Sequence, residues 1–252
     1  MTNVCLIFAI CILPLESCHS DDMGAVSGFV KFPGETPPPS MYANESDHDC
    51  PHGIGQNHLI VKQETLGLKN VLVVLERTDR RVMPTRLSVE LAMDGCRLLP
   101  RIFWVPLGTS LALTDKDGAR HHLRALQKGN TLFEADLSPD TPSVRRPMVV
   151  PGLYQINCDH HPWERAWIYS SPHDSVAITD AEGRFVIKGV PPGRYVIHAW
   201  HEGWVPLPVN PGGGHPEFVP MRDVRTIKVR ADQTTDVLFD TLSSLADPSF
   251  PN

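Results

Sequence analysis

Residues 176–200 read VAITDAEGRFVIKGVPPGRYVIHAW. Apolar side chains recur there at every second position, Phe185 and Ile187 in one run and Tyr195, Ile197 and Ala199 in the next. That is the period of a half-buried strand and not of a helix. Asp180-Ala181-Glu182-Gly183 and Pro191-Pro192-Gly193 separate the runs with turn chemistry, so the stretch is expected to form consecutive antiparallel hairpins. Working outward, residues 24–39 (GAVSGFVKFPGETPPP) alternate and then end in a proline-rich turn, and residues 70–76 (NVLVVLE) form the short apolar run of a buried strand. In 86–93 (RLSVELAM), Leu87, Val89, Leu91 and Met93 share one face and Asp94-Gly95 supplies the turn after it. Further strands are expected at 101–105, 110–114, 132–137, 152–158 and 166–169. After a Pro/Gly-rich loop at 204–221, two more are expected at 226–230 and 235–240. With 24 Pro and 18 Gly punctuating the chain, the fold class is all-β.

The 252 residues, 41% of them apolar, suffice for one large or two ordinary domains. The net charge is -6, and the basic pairs Arg80-Arg81 and Arg145-Arg146 form no stripe that could follow a phosphate backbone, so nucleic acid is excluded as a partner. The chain opens MTNVCLIFAICILPLESCHSDD, where residues 4–13 are apolar but too few to span a bilayer. This is the pattern of a secretory signal peptide over residues 1–18, implying an exported protein.

Leu15-Glu16-Ser17-Cys18 resembles a bacterial lipobox, which implies lipidation of Cys18, a periplasmic or outer-membrane lipoprotein, and membrane contact only through that anchor. Once Cys5, Cys11 and Cys18 are set aside, Cys50, Cys96 and Cys158 remain of the six cysteines. In an oxidising compartment two of three pair and the third needs a reason to stay free, such as a metal. Cys158 stands beside two histidines, so a Cys50–Cys96 disulfide is expected; closing so long a loop stabilises by roughly 4 kcal/mol in the chain-entropy model.

The chemistry gathers in two segments, 111–126 (LALTDKDGARHHLRAL) and 152–180 (GLYQINCDHHPWERAWIYSSPHDSVAITD). A thiolate and two imidazoles form the donor set of a copper redox centre, the thiolate soft and covalent, the imidazoles borderline. The first segment resembles the cupredoxin pattern of an Asp or Asn loop followed by His-Asn-hydrophobic, placing His121 at a ligand position. The second resembles the cupredoxin loop G-x-Y-x-x-x-C-x-x-H-P-W-M, with Cys158 and His161 matching and Glu164 standing where Met is usual. The earlier string CRLLPR at 96–101 belongs to the same resemblance.

The resemblance implies one copper ion held by His121, Cys158, His161 and, as axial ligand, Glu164, with the ring Nδ1 atoms as donors. It implies one-electron transfer or copper carriage with a redox partner protein. A carboxylate is a hard anionic donor, which favours Cu(II) and lowers the reduction potential, and the same four residues could hold zinc. His160 is a spare candidate expected at the surface. The run Asp47-His48-Asp49-Cys50-Pro51-His52 is better read as structural, as are His201 and Glu202, expected to hydrogen-bond at the module boundary, with His173 a possible partner. A c-type haem would need a second Cys that Asp159-His160 does not supply.

The stretch TDAEGRFVIKGVPPGRYVIHAWHEG at 179–203 resembles the carboxypeptidase regulatory-like repeat, a prealbumin-like β-sandwich. Its earlier strands fall near 24–32 and 70–76, so the sandwich is interrupted. The domains expected are therefore a discontinuous sandwich over 24–84 plus 173–242, a cupredoxin-like Greek-key sandwich over 85–172 inserted in it or packed against it, and a tail at 243–252. No Gly-x-Ser-x-Gly elbow, Walker loop or HExxH helix is present. The alternatives are a metal-free envelope scaffold, or a copper or zinc enzyme with an open coordination position.

Overall fold

The computed structural model describes residues 23–36, 58–76, 89–207 and 217–244, with residues 40–42 and 54–56 described by backbone alone. The N-terminal segment expected to be a signal peptide, with Cys18, the Asp47–His52 run with Cys50, and the residues beyond 244 lie outside the described residues. Among the described residues the fold is all-β. The chain begins with β1 (Gly24–Val30), β2 (Ser40–Tyr42), β3 (Ile54–Gln56), β4 (Val61–Lys62), β5 (Gly67–Leu68) and β6 (Leu72–Leu75). It continues through β7 (Val89–Met93), β8 (Leu98–Leu99), β9 (Ile102–Pro106), β10 (Ser110–Asp115), β11 (His121–Gln127) and β12 (Asn130–Leu137). Then come β13 (Ser143–Pro147), β14 (Gly152–Cys158), β15 (Arg165–Ser171), β16 (Val176–Ile178), β17 (Arg184–Val190), β18 (Gly193–His201), β19 (Met221–Val229) and β20 (Thr234–Phe239).

Four of the sheets form two sandwiches. In one, the sheet β17-β1-β20 faces β16-β6-β18-β19 across a core that includes Val26, Val30, Val73, Phe185, Ile187, Ile197 and Phe239. In the other, β13-β10-β7-β8 faces β12-β11-β14-β15-β9 across Leu91, Leu111, Leu113, Leu123, Tyr154, Ile156 and Ile168. Each such apolar side chain contributes roughly 1.5–3 kcal/mol by leaving water.

The uninterrupted apolar run of β6 has a direct reason. Val73 and Leu75 face the first core, while Leu72 and Val74 join a third cluster with Ile102, Tyr169 and Trp200 that seals one sandwich against the other. Within that seal Trp167 meets Trp200 edge-on, ring centroids 4.8 Å apart.

The pairing expected for residues 176–200 needs correction. The strands and turns are where the sequence puts them, but they are not hairpins: β17 pairs with β1, whereas β16 and β18 both pair with β6 in the opposite sheet. Each turn therefore crosses between sheets. This lets Phe185 and Ile187 face Ile197 and Ala199 inside one core rather than lie beside them on one face. Asp180 builds the first crossing by accepting the amides of Glu182 and Arg184 on its Oδ1. Gly183 completes it at φ 83°, where a Cβ would come 2.6 Å from the Gly67 backbone.

The candidate metal centre

His121 is the first residue of β11 and its side chain points inward with those of Leu123 and Ala125; Cys158 is the last residue of the adjacent β14, paired through Leu123. Strand alternation thus sends the imidazole and the sulfur into the same interior end of the sandwich. The residues after Cys158 fold straight back: the amide of Glu164 donates to the carbonyl of His161 at 2.9 Å, and the amide of Cys158 donates to the carbonyl of Glu164 at 3.2 Å. Pro162 occupies the second position of this four-residue turn, where its fixed φ is favourable. The His-Pro-Trp-Glu string therefore brings residues 161 and 164 together. Trp163 is buried, donates Nε1 to the carbonyl of Cys96 at 3.2 Å, and lies against His161 with centroids 5.4 Å apart.

The atoms expected to meet do so. His121 Nδ1 lies 3.7 Å from Cys158 Sγ, His161 Nδ1 lies 3.6 Å from the same sulfur, and the two ring nitrogens are 3.2 Å apart. Glu164 Oε2 is 3.0 Å from His121 Nδ1 and 3.3 Å from His161 Nδ1. All four donors fall within 4.8 Å of one another. Donors held at about 2.0–2.3 Å from a single ion stand roughly 3.3–4.0 Å apart in tetrahedral or near-trigonal sets, so the five separations need open by only a few tenths of an ångström at most. The residues therefore fit a metal ion on spacing as well as on donor type. Cys158 and Glu164 are fully buried, His121 is 1% exposed and His161 3%. The second carboxylate oxygen, Glu164 Oε1, is buried with no hydrogen-bond partner among the described residues.

Burial pulls both imidazoles toward lower pKa, yet the neighbouring Cys158 sulfur and Glu164 carboxylate overcome it and hold His121 and His161 at about 10. The same contacts act in reverse on their partners. Burial pushes Cys158 and Glu164 upward, and the two rings bring both below their ordinary values. Two imidazoles, one sulfur and one carboxylate are thus gathered in one buried pocket. With the rings neutral and the sulfur a thiolate, the set would carry two negative charges, which a divalent cation would balance.

Of the remaining candidates, His160 is exposed. Cys96 is disulfide-bonded and Cys158 is the free cysteine among the described residues; Cys50 lies outside them. Glu202 is a buried anchor between the sandwiches. Arg101 donates Nε and Nη2 to its two oxygens, each at 2.7 Å, Trp167 donates Nε1 to Oε2 at 3.2 Å, and Arg101 Nη1 reaches the carbonyl of Arg165. Against the upward push of burial, Arg101 holds the Glu202 carboxyl at about 2. Burial lowers His201 to about 4, leaving it neutral, and its Nδ1 accepts the Gly203 amide at 3.0 Å. The sequence reading missed Arg101 and Trp167 as the partners of Glu202. It also missed Asp115, whose Oδ1 faces His121 Nε2 at 3.5 Å; its place in the Asp-rich string TDKDG was the available signal.

No family model matches the chain, and no curated protein matches it. Solved structures resemble part of it. A purple cupredoxin from Nitrosopumilus maritimus is 19% identical over 33% of this chain and 99% of that one, at a TM-score of 0.30. The Cu-containing nitrite reductase (NirK) from Thermus scotoductus SA-01 is 19% identical over 38% of this chain and 25% of that one, at 0.31. Amicyanin from Paracoccus versutus is 13% identical over 39% of this chain and 97% of that one, at 0.30. At this level the likenesses are partial, and the functional argument stands on the site itself.

Proposed function

We propose that this chain is a cupredoxin-like protein that binds one copper ion through His121 Nδ1, Cys158 Sγ, His161 Nδ1 and the carboxylate of Glu164, and serves one-electron transfer or copper carriage. The observation that carries the reading is the convergence of four buried donors, one soft sulfur among them, at spacings that suit a single ion. Bound copper would supply a one-electron couple. The residues around it supply a fixed cage: all four donors leave β-strand ends or a proline-set turn, so the ligand positions need change little between oxidation states.

Glu164 tunes the couple. With both rings neutral, the thiolate and carboxylate balance Cu(II), whereas Cu(I) leaves one uncompensated negative charge in a buried site. The oxidised form is favoured, the reduction potential is low, and the colour is nearer red copper than blue. Zinc is the second reading, because four protein donors also make a closed tetrahedral set.

The sandwich built on β1, β6 and β16–β20 we read as the carboxypeptidase regulatory-like module over 24–84 plus 173–242, and the block at 85–172 as the copper module. The chain as a whole we read as an exported lipoprotein anchored through Cys18, with a Cys50–Cys96 disulfide and a redox partner protein.

Titrating purified protein with Cu(II) tests the function. The expected result is one copper per chain and a thiolate-to-copper absorption band, both lost in Cys158→Ser. Stoichiometric binding of zinc with no uptake of copper favours the second reading, and uptake of neither metal by folded protein overturns both.

A further inference from the structure

A metal on Nδ1 of His121 obliges the ring to carry its remaining proton on Nε2. That nitrogen is buried, its side chain is 0% exposed, and no hydrogen bond from the described residues satisfies it. The group facing it is Asp115 Oδ1, at 3.5 Å, on a side chain that is itself 1% exposed. We infer that Asp115 is the positioning residue of the centre: it accepts the Nε2 proton of His121, fixes the tautomer that presents Nδ1 to the metal, and raises the basicity of that ligand. The inference rests on the copper reading above.

The surroundings of Asp115 are built to hold that oxygen in place. It is the last residue of β10, and its Oδ1 accepts the amides of Asp117 at 2.8 Å and Gly118 at 3.1 Å. Asp117 in turn accepts the amides of Gly95 at 2.7 Å and Cys96 at 3.0 Å, tying the 115–118 loop to the turn after β7. The carbonyl of Cys96 receives Trp163 Nε1, and Trp163 lies against His161. The supports of the two imidazole ligands therefore meet at one turn. Buried partners of metal-bound histidines commonly set ring orientation and ligand strength in this way.

A rival use of the same atoms is a second ion held by Asp115, Asp117 and His121 Nε2, whose ligand atoms also cluster. The hydrogen bonds argue against it, because both Asp117 oxygens already accept backbone amides that tie the loop to the turn after β7.

The test compares wild-type protein with Asp115→Asn, which keeps an oxygen for the Asp117 and Gly118 amides but removes the charge. Asp117→Asn serves as a control that disturbs the loop without touching the ring. Cu(II) affinity, reduction potential and the long-range proton–nitrogen spectrum of the Cu(I)-loaded, nitrogen-15-labelled protein are measured. Expected are one copper per chain, a downfield and slowly exchanging Nε2 proton on His121 in the wild type, and a loss of Cu(II) affinity in Asp115→Asn of about 10–100-fold. That variant should also have a more positive potential and an upfield-shifted Nε2 proton, whereas Asp117→Asn keeps the proton where it is. Should Asp115→Asn fail to fold, the wild-type spectrum decides alone, and a solvent-exchanged or upfield Nε2 proton overturns the assignment. Two coppers per chain, or unchanged affinity and potential in a folded Asp115→Asn, also overturn it while leaving the copper reading intact. Absence of copper uptake by the wild type overturns both.

Discussion

The carboxylate of Glu164 lies 3.0 Å from the ring Nδ1 of His121, at the point where that nitrogen also approaches the sulfur of Cys158. On the proposed copper reading, a buried anion in this position gives the centre a dianionic ligand set rather than a monoanionic one. Replacing Glu164 by Met removes one negative charge and substitutes a weak thioether. The reduction potential of the copper-loaded variant is expected to rise and its absorption to move toward blue copper, read by voltammetry and visible spectroscopy. An unchanged potential and spectrum would remove Glu164 from the ligand set.

Copper should stabilise the folded chain. Binding to the native state alone, at a free copper concentration a hundred times the dissociation constant, adds about 2.7 kcal/mol. Urea unfolding with and without Cu(II) measures this. The gain is expected in wild-type protein, should vanish with a chelator, and should be lost in Cys158→Ser.

The Arg101–Glu202 pair makes stability depend on acid. The Glu202 carboxyl is depressed from 4.5 to about 2, so its contribution is complete above the ordinary value and is lost as pH falls toward 2. The drop is worth on the order of 3 kcal/mol. Unfolding of wild type and Glu202→Gln should therefore differ most near neutrality and converge between pH 5 and 2. A stability difference that stays constant over that range contradicts the assignment.

Trp163→Phe keeps the ring against His161 but removes the donor to the Cys96 carbonyl. A loss of about 1 kcal/mol is expected in urea unfolding. Trp200→Ala, which opens a cavity in the seal between the sandwiches, should cost about 3–5 kcal/mol.

Many strand positions were legible where burial falls on one face, but β11, which buries His121, Leu123 and Ala125 on one face, was not among the strands expected. The alternations at Phe185/Ile187 and Tyr195/Ile197/Ala199 and the run before Glu76 all correspond to observed strands. Which strand pairs with which was not legible, because alternation fixes the buried face and says nothing of the neighbour. Hence the turn at Asp180–Gly183 was read as a hairpin although it crosses between sheets. β13 escaped notice because its sequence SVRRP has no apolar face; it is an exposed edge carrying Arg145 and Arg146. At the candidate metal centre, His121, Cys158, His161 and Glu164 were named by the resemblance to cupredoxin segments, and the Cys-to-Glu loop is short enough for one turn to bring residues 161 and 164 together. Asp115 and the Arg101–Glu202 pair were not, since contacts across distant strands leave no local pattern.

The most direct test of the account is X-ray absorption at the copper edge of protein loaded with one equivalent of Cu(II). The account predicts one short copper–sulfur distance with two imidazole nitrogens and an additional oxygen. A shell of nitrogen and oxygen alone, without sulfur, would contradict it.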